Sequence, residues 1–334
     1  MTTPPPALLI AGHGTRDDEA GAEAFRDLLR ALGRRHPGLP VGGGFAEPFR
    51  PPLGEAVTAL VEHGVRRFAV VPLAWEAAGR AGADVRAVLD RVRERHPEVS
   101  YGHGRPPGPS PVLLSLLERR VEEALGSPSP RTPGDRAEVT VLLVGYGSAD
   151  PEANAEVHRA ARLLWEGRGY AGVETAFVSP AAPDVPSGLD RCVRLGARRI
   201  VVLPYFPLDG GPADRVRQQT EGWAAARPEI EVRSADVIGP EPELLDLIVE
   251  RYREALEGDP HMHRDSHDSS VLDGTPPGGT PPDGTSPDGT RPGGASCGGG
   301  NSPGLPRQPR ARPDDDGHHG HDHHHWGHTH SHAH

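Results

Sequence analysis

Short apolar runs without two-residue alternation occur along the first third of the chain. Residues 7–11 and 67–74 form the strongest runs, and residues 41–46 and 99–103 form weaker ones. Continuous apolar runs are typical of parallel strands that are buried on both faces, whereas alternation indicates a sheet with one face in water. The pattern therefore predicts four parallel strands in this region.

Helical periodicity separates these runs. Ala20, Ala24, Leu28 and Leu32 form one apolar stripe, and a second stripe covers residues 113–124. The first helix is expected to begin at residues 15–17, where polar residues can cap it, and the last one opens at prolines between residues 109 and 111. Strands that alternate with helices indicate βαβ units and an α/β fold.

The same unit occurs twice. Gly12, Gly14 and Asp17 recur at a spacing of 133 residues as Gly145, Gly147 and Asp150. The aligned blocks are 8–32 with 141–165, 64–72 with 196–204, and 108–125 with 239–256. Each copy is therefore predicted to form about one domain.

Composition sets the predicted boundaries. We expect an N-terminal domain at 1–125, a linker at 126–137 that is rich in proline, glycine and serine, and a second domain at 138–258. Glycine and proline repeats dominate much of 259–334, so that this tail is expected to be disordered. The predicted fold is thus two tandem α/β domains, each a four-stranded parallel sheet flanked by helices, followed by the tail.

Charge and cysteine content exclude several classes of protein. A formal net charge of -11 argues against binding to a nucleic acid, which depends on clustered lysine and arginine. The two cysteines, Cys192 and Cys297, have no spacing typical of disulfide frameworks or zinc ribbons. No apolar stretch reaches the roughly 18 residues of a membrane span, and no signal peptide is recognisable. We expect a cytoplasmic protein without a membrane partner, as a monomer or homodimer.

The end of the tail has a metal-binding composition. Ten of the seventeen residues from 318 to 334 are histidines: His318, His319, His321, His323, His324, His325, His328, His330, His332 and His334. Imidazole clusters bind divalent ions such as Ni²⁺, Co²⁺ and Zn²⁺. The alternative is an expression tag, but Asp322 and Trp326 interrupt the run, which favours a native tail.

Two candidate site residues follow neighbouring predicted strands. His13 lies between two glycines after the first strand, and Glu47 follows the second strand. Ligand sites in parallel sheets lie at the carboxyl ends of the strands, so that both side chains belong to one edge. The alternatives are an ordinary strand-to-helix turn and a solvated loop carboxylate. Tyr146 and Ser179 replace His13 and Glu47 in the second copy, which favours a single working site.

The loop after the third strand offers further candidates. Trp75 could line the site of a planar ligand, although a tryptophan at this place is more often a core residue. Glu76 could bind a metal ion, or it could form an ion pair with Arg80. The sequence does not separate these alternatives.

These motifs together resemble a known family. The string GHGTRD, the Gly-Phe-x-Glu turn, the strand-Pro-Leu element followed by Ala-Ala-Gly, and the two tandem copies are similar to class II tetrapyrrole chelatases, in particular the long, two-repeat sirohydrochlorin cobaltochelatases and ferrochelatases. The likeness covers about residues 8–256. It implies two chelatase-like domains of the ferrochelatase superfamily.

The resemblance also implies a reaction. A divalent metal ion (Co²⁺, Fe²⁺ or Ni²⁺) would be inserted into a tetrapyrrole for cobalamin or siroheme biosynthesis, with the metal as substrate and no organic cofactor. His13 and Glu47 match family positions; His13 would bind the metal, and Glu47 would accept pyrrole protons.

The chain departs from the family pattern at one position. Arg80 occupies the place of the family's second histidine. A guanidinium has no lone pair for a metal, but it can bind a carboxylate of the macrocycle. We therefore place Arg80 with Thr15 and Trp75 among the substrate-binding residues, and Glu76 as a replacement metal ligand. The alternative is a degenerate chelatase that binds metal or tetrapyrrole without insertion.

Overall fold

The computed structural model describes residues 5–12, 18–46, 49–75, 80–126 and 136–257, and of residues 80–83 it describes only the backbone. Most of the predicted linker and the tail with its histidines lie outside the described residues. The described part contains two four-stranded parallel sheets flanked by helices, which confirms the predicted fold class.

The first half contains one sheet with the strand order β2-β1-β3-β4. Its strands are β1 (Ala7–Gly12), β2 (Val41–Phe45), β3 (Arg67–Leu73) and β4 (Ser100–His103). Its helices are α1 (Glu19–Arg35), α2 (Leu53–Glu62), α3 (Arg80–Arg95) and α4 (Pro111–Ala124). All neighbouring strands are parallel.

The second half repeats this topology, with the order β6-β5-β7-β8. Its strands are β5 (Val139–Gly145), β6 (Gly172–Phe177), β7 (Arg199–Pro204) and β8 (Glu231–Ser234). Its helices are α5 (Pro151–Trp165), α6 (Val185–Arg194), α7 (Gly211–Ala225) and α8 (Pro242–Glu257). The repeat seen in the sequence is thus a repeat of structure.

Burial on both faces explains why the central strands do not alternate. In β1, Leu8 and Ile10 face a core that both halves share, whereas Leu9 and Ala11 face a separate core beneath α2 and α3. All four side chains are at most 3% exposed. Every position of the strand therefore favours an apolar residue.

The last helix of each half packs on the sheet of the other half. Helix α8 lies against β3 and β4, and helix α4 lies against β7. As a result the two halves form one compact unit. The division at 1–125 and 138–258 stays a prediction, but the exchange of helices means that neither sheet is covered by its own half alone.

Ion pairs border the shared core. Arg35 binds both carboxylate oxygens of Asp246 at 2.6 Å, and Arg105 binds both oxygens of Glu254 at 2.8 Å. Each pair joins the first half to α8. Because these side chains are partly exposed, water screens each pair, and its main effect is on orientation.

The start of α1 differs from the prediction. The helix begins at Glu19, and Asp18 is its cap, with Oδ1 accepting a hydrogen bond from the Gly21 amide at 2.8 Å. The expected start at residues 15–17 is therefore wrong.

The buried face of α1 differs as well. Ala20 is exposed and Ala24 only half-buried, whereas Ala22 and Phe25 are buried. Phe25 packs against Phe45 at the end of β2, with ring centroids 4.5 Å apart, so that the buried face at the start of the helix includes Ala22 and Phe25 and leaves out Ala20 and Ala24.

None of the helices in the described ranges combines the length and the apolar character that crossing a membrane requires.

Candidate functional site

A small open cleft lies where the carboxyl ends of strands from both halves meet. Gly12 and Phe45, at the ends of β1 and β2, line it from the first half. Tyr146 and Leu208, in the segments after β5 and β7, line it from the second half. This is the edge at which parallel sheets bind ligands.

An aromatic pair forms the wall on the side of the first half. Phe25 and Phe45 contact each other and both line the cleft. A side chain at Gly12 would collide with the Phe45 ring and would lie 3.2 Å from Phe25. Glycine is therefore required at position 12 for a steric reason: any side chain there would overlap the Phe45 ring at the end of β1.

Tyr146 forms the opposite wall. It follows the end of β5 and its ring lies on Phe206, with centroids 4.3 Å apart. Phe206 is fully buried, so that it gives the Tyr146 ring a rigid support. Tyr146 is the counterpart of His13 in the repeat, and in this copy the position lines the common cleft with an aromatic ring.

Among the described residues, three charged ones line the cleft: Asp18, Arg50 and Asp209. Asp18 caps α1, and Asp209 lies 3.5 Å from Arg217. The pKa of Arg217 is raised, first by its hydrogen bond to Asp214. Both acidic groups of the cleft thus have partners.

Asp18 also reaches across the cleft. A Cβ atom on Gly210, the cap of α7, would lie 2.6 Å from Asp18 Oδ2. The φ angle of Gly210 is 146°, which side chains other than glycine rarely adopt. Glycine at this position lets the two halves approach each other at one end of the cleft.

The sequence-predicted site residues are only partly described. Four of them lie outside the described residues: His13, Thr15, Glu47 and Glu76. Arg80 is the first residue of α3, and only its backbone is described. Their assigned roles therefore stay predictions.

Trp75 is a core residue in this structure. Its side chain is 1% exposed, and its ring lies 5.9 Å from that of Tyr205 in the shared core. A ring buried in this way offers no face to a ligand, so that the assignment of Trp75 to substrate binding is wrong for this conformation. The core alternative describes it.

Sequence reasoning missed Arg50 and Asp18. A usable signal existed for Arg50: it is three residues from Glu47 in the sequence, and its counterpart in the second copy is Ala182. At both positions a charged residue of the first copy is replaced by an uncharged one in the second copy: Glu47 by Ser179, and Arg50 by Ala182. No such signal exists for Asp18, whose position follows from where α1 begins.

Known proteins are similar to this chain in both sequence and fold. The model of the CbiX family matches residues 7–124 and again 140–255. A sirohydrochlorin cobaltochelatase from Priestia megaterium is 31% identical over 260 residues, which cover 78% of this chain and 83% of that protein. A sirohydrochlorin ferrochelatase from the same organism is 29% identical over 218 residues, or 64% of this chain and 78% of that protein.

A solved structure has the same arrangement. SirB from Bacillus subtilis with Fe³⁺ superimposes with a TM-score of 0.61 at 25% identity, over 75% of this chain and 95% of that chain. The likeness therefore extends over both halves and not over a single sheet.

Proposed function

This chain belongs to the CbiX family, and from that premise we propose that it inserts a divalent metal ion into sirohydrochlorin or a closely similar tetrapyrrole. The metal (Co²⁺, Fe²⁺ or Ni²⁺) and the macrocycle are both substrates, and the product would serve cobalamin or siroheme biosynthesis. The similarity to a cobaltochelatase and to ferrochelatases supports the reaction type.

The cleft is the observation that carries this proposal. It opens at the carboxyl ends of the strands, has the half-buried ring of Tyr146 on one side, and includes Gly12, the residue directly before His13. The half-buried ring of Tyr146 suits a planar macrocycle, because ring faces stack favourably. A metal ligand that follows Gly12 would meet a macrocycle bound there.

His13 and Glu47 have the central roles in this mechanism. The neutral imidazole of His13 binds the incoming metal ion through a ring nitrogen. Two pyrrole N–H groups must lose their protons as the metal enters, and the carboxylate of Glu47 accepts them. Thr15, two residues after His13 in the sequence, contributes hydrogen bonds to the substrate.

Arg80 and Glu76 replace the family's second histidine in this mechanism. Arg80 binds a carboxylate of the macrocycle, where its fork of N–H donors fits both oxygens. Glu76 completes the metal site, or it forms an ion pair with Arg80. A carboxylate in place of an imidazole would shift the preference of the site toward harder metal ions.

Binding without insertion is the second candidate function. Arg80 favours it, because the family position that holds a second metal-binding histidine is here a permanent cation. A site of this kind would hold the tetrapyrrole or the metal but would not transfer one to the other.

An insertion assay separates the two candidates. The full chain is mixed anaerobically with sirohydrochlorin and Co²⁺, Fe²⁺ or Ni²⁺ in turn, and the absorbance of the macrocycle is followed against buffer. Insertion that is faster than in buffer is the expected result. Tight binding of sirohydrochlorin with rates equal to those in buffer would favour the binding protein instead.

The histidine tail is proposed to deliver metal to the cleft. Replacing the ten histidines of residues 318–334 with asparagine keeps the length of the tail but removes its metal ligands. We expect unchanged turnover at saturating metal and a clear loss when metal is limiting, because a tethered cluster raises the local metal concentration. Equal rates of both proteins at limiting metal would contradict delivery.

A further inference from the structure

The loop after β2 carries a charge that its repeat lacks. Arg50 lies in this loop and lines the cleft, and Ala182 occupies the equivalent place after β6. The two loops have the same backbone hydrogen bond, since the Phe45 amide donates to the Pro51 carbonyl and the Phe177 amide to the Pro183 carbonyl. A cation is therefore present only in the copy that also carries His13 and Glu47.

The backbone on both sides of Arg50 is held in place. The Phe49 amide donates to the Ala46 carbonyl at 3.2 Å, and the Phe49 side chain packs against the shared core. On the other side, a Cβ atom on Gly44 would lie 2.7 Å from the Pro51 carbonyl oxygen, so that the loop returns closely over β2. Arg50 is thus presented by a fixed segment.

Arg50 has no side-chain partner among the residues that the structure describes. Within the described ranges its guanidinium forms neither an ion pair nor a hydrogen bond, whereas Asp18 and Asp209, the acidic residues of the cleft, are engaged elsewhere. Its side chain is exposed at the cleft. With a fixed backbone and no ion pair to a described residue, this guanidinium can bind an anion without first breaking any of the described ion pairs.

We propose that Arg50 is an anchor for a carboxylate side chain of the tetrapyrrole, at the rim of the cleft. This inference rests on the proposed function, which supplies a macrocycle bearing acetate and propionate groups. Arginine suits the task because it can bind both oxygens of one carboxylate, which fixes the rotation of the ring in its plane. Arg50 positions the substrate and takes no part in metal transfer.

The test measures binding and turnover separately. Sirohydrochlorin without metal is titrated into the full-length protein, into Arg50→Ala and into Arg50→Lys, with absorbance as the signal. Metal insertion is then measured over a range of sirohydrochlorin concentrations. Arg198→Ala is the matched control, because Arg198 is also exposed and without an ion pair among the described residues but precedes β7, at the opposite end of the strands.

Arg50→Ala is expected to weaken binding by about tenfold to a hundredfold, the usual effect of losing a charge-assisted hydrogen bond. Arg50→Lys should recover part of this loss, and the difference should shrink at high salt. KM for sirohydrochlorin should rise while kcat stays nearly unchanged. Arg198→Ala should resemble the wild type.

Each possible outcome bears on a different part of the proposal. Wild-type affinity in Arg50→Ala, together with normal turnover, would overturn the anchor and leave the proposed reaction intact. Arg50-dependent binding without any metal insertion would support the anchor and overturn the reaction. A wild-type protein that does not bind sirohydrochlorin would overturn both.

Discussion

His13→Ala is expected to slow metal insertion into sirohydrochlorin by at least about a hundredfold, the lower range for removing a positioned proton-transfer or ligand group. Alanine offers no lone pair, so that the metal would have to enter the macrocycle directly from water. The measurement is the initial rate of the absorbance change at saturating sirohydrochlorin and metal. Binding of metal-free sirohydrochlorin should change little, since the walls of the cleft remain.

Arg80→His is the complementary variant, because it restores the second histidine of the family pattern. If insertion by the wild type is limited by the missing ligand, the rate should rise by about tenfold or more at saturating sirohydrochlorin. If Arg80 binds a carboxylate, KM for sirohydrochlorin should rise in the same variant. Arg95→His, at the far end of α3, is the control for adding a histidine to this helix.

His13→Ala with wild-type turnover would remove the central residue of the mechanism. An Arg80→His variant with unchanged kcat and unchanged KM would show that this position takes part neither in metal binding nor in substrate binding. Combining both substitutions distinguishes the ligands further. A gain in rate from Arg80→His that disappears when His13→Ala is also present would indicate that the two imidazoles share a metal ion.

The strands were predictable because their burial has a simple signature. Continuous apolar runs at 7–11 and 67–74 correspond to β1 (Ala7–Gly12) and β3 (Arg67–Leu73). A strand covered on both faces favours apolar residues at every position. The ends of the apolar run therefore mark the ends of the strand. The duplication then allowed the second sheet to be predicted from the first.

The exchange of α4 and α8 between the halves was not predictable in this way. An apolar stripe tells which face of a helix is buried, but it does not tell which sheet covers that face. The same ambiguity applies to Trp75. Its burial depends on Tyr205, a residue of the other half, and no local pattern reports that contact.

Only part of the candidate site was predictable from the sequence. The residues in family motifs, such as His13 and Glu47, were found by their neighbours in the chain. Arg50 and Tyr146 belong to the cleft because the two halves face each other, and Tyr146 is held there by the buried Phe206. Such residues can be found from the sequence only by comparing the two copies position by position.

Arg120→Ala is expected to lower the free energy of unfolding by about 3 kcal/mol, the usual cost of breaking a partly buried, charged network. Arg120 in α4 donates from Nε to the Val237 carbonyl at 2.9 Å and from Nη2 to the Ile238 carbonyl at 2.6 Å. It also pairs with Glu241, and its side chain is 14% exposed. Alanine would leave the Val237 and Ile238 carbonyls without this donor, whereas Glu241 would keep its hydrogen bond from Arg119.

Urea denaturation followed by circular dichroism measures this effect, with Arg159→Ala as the control. Arg159 is 63% exposed and pairs with Glu156 at 3.4 Å, so that its loss should change the free energy by no more than about 0.5 kcal/mol. Because each sheet is covered by a helix of the other half, both variants should unfold in one transition with the slope of the wild type. Wild-type stability of Arg120→Ala would mean that this contact does not couple the halves. Two separate transitions would mean that the exchange of helices does not by itself hold the halves together.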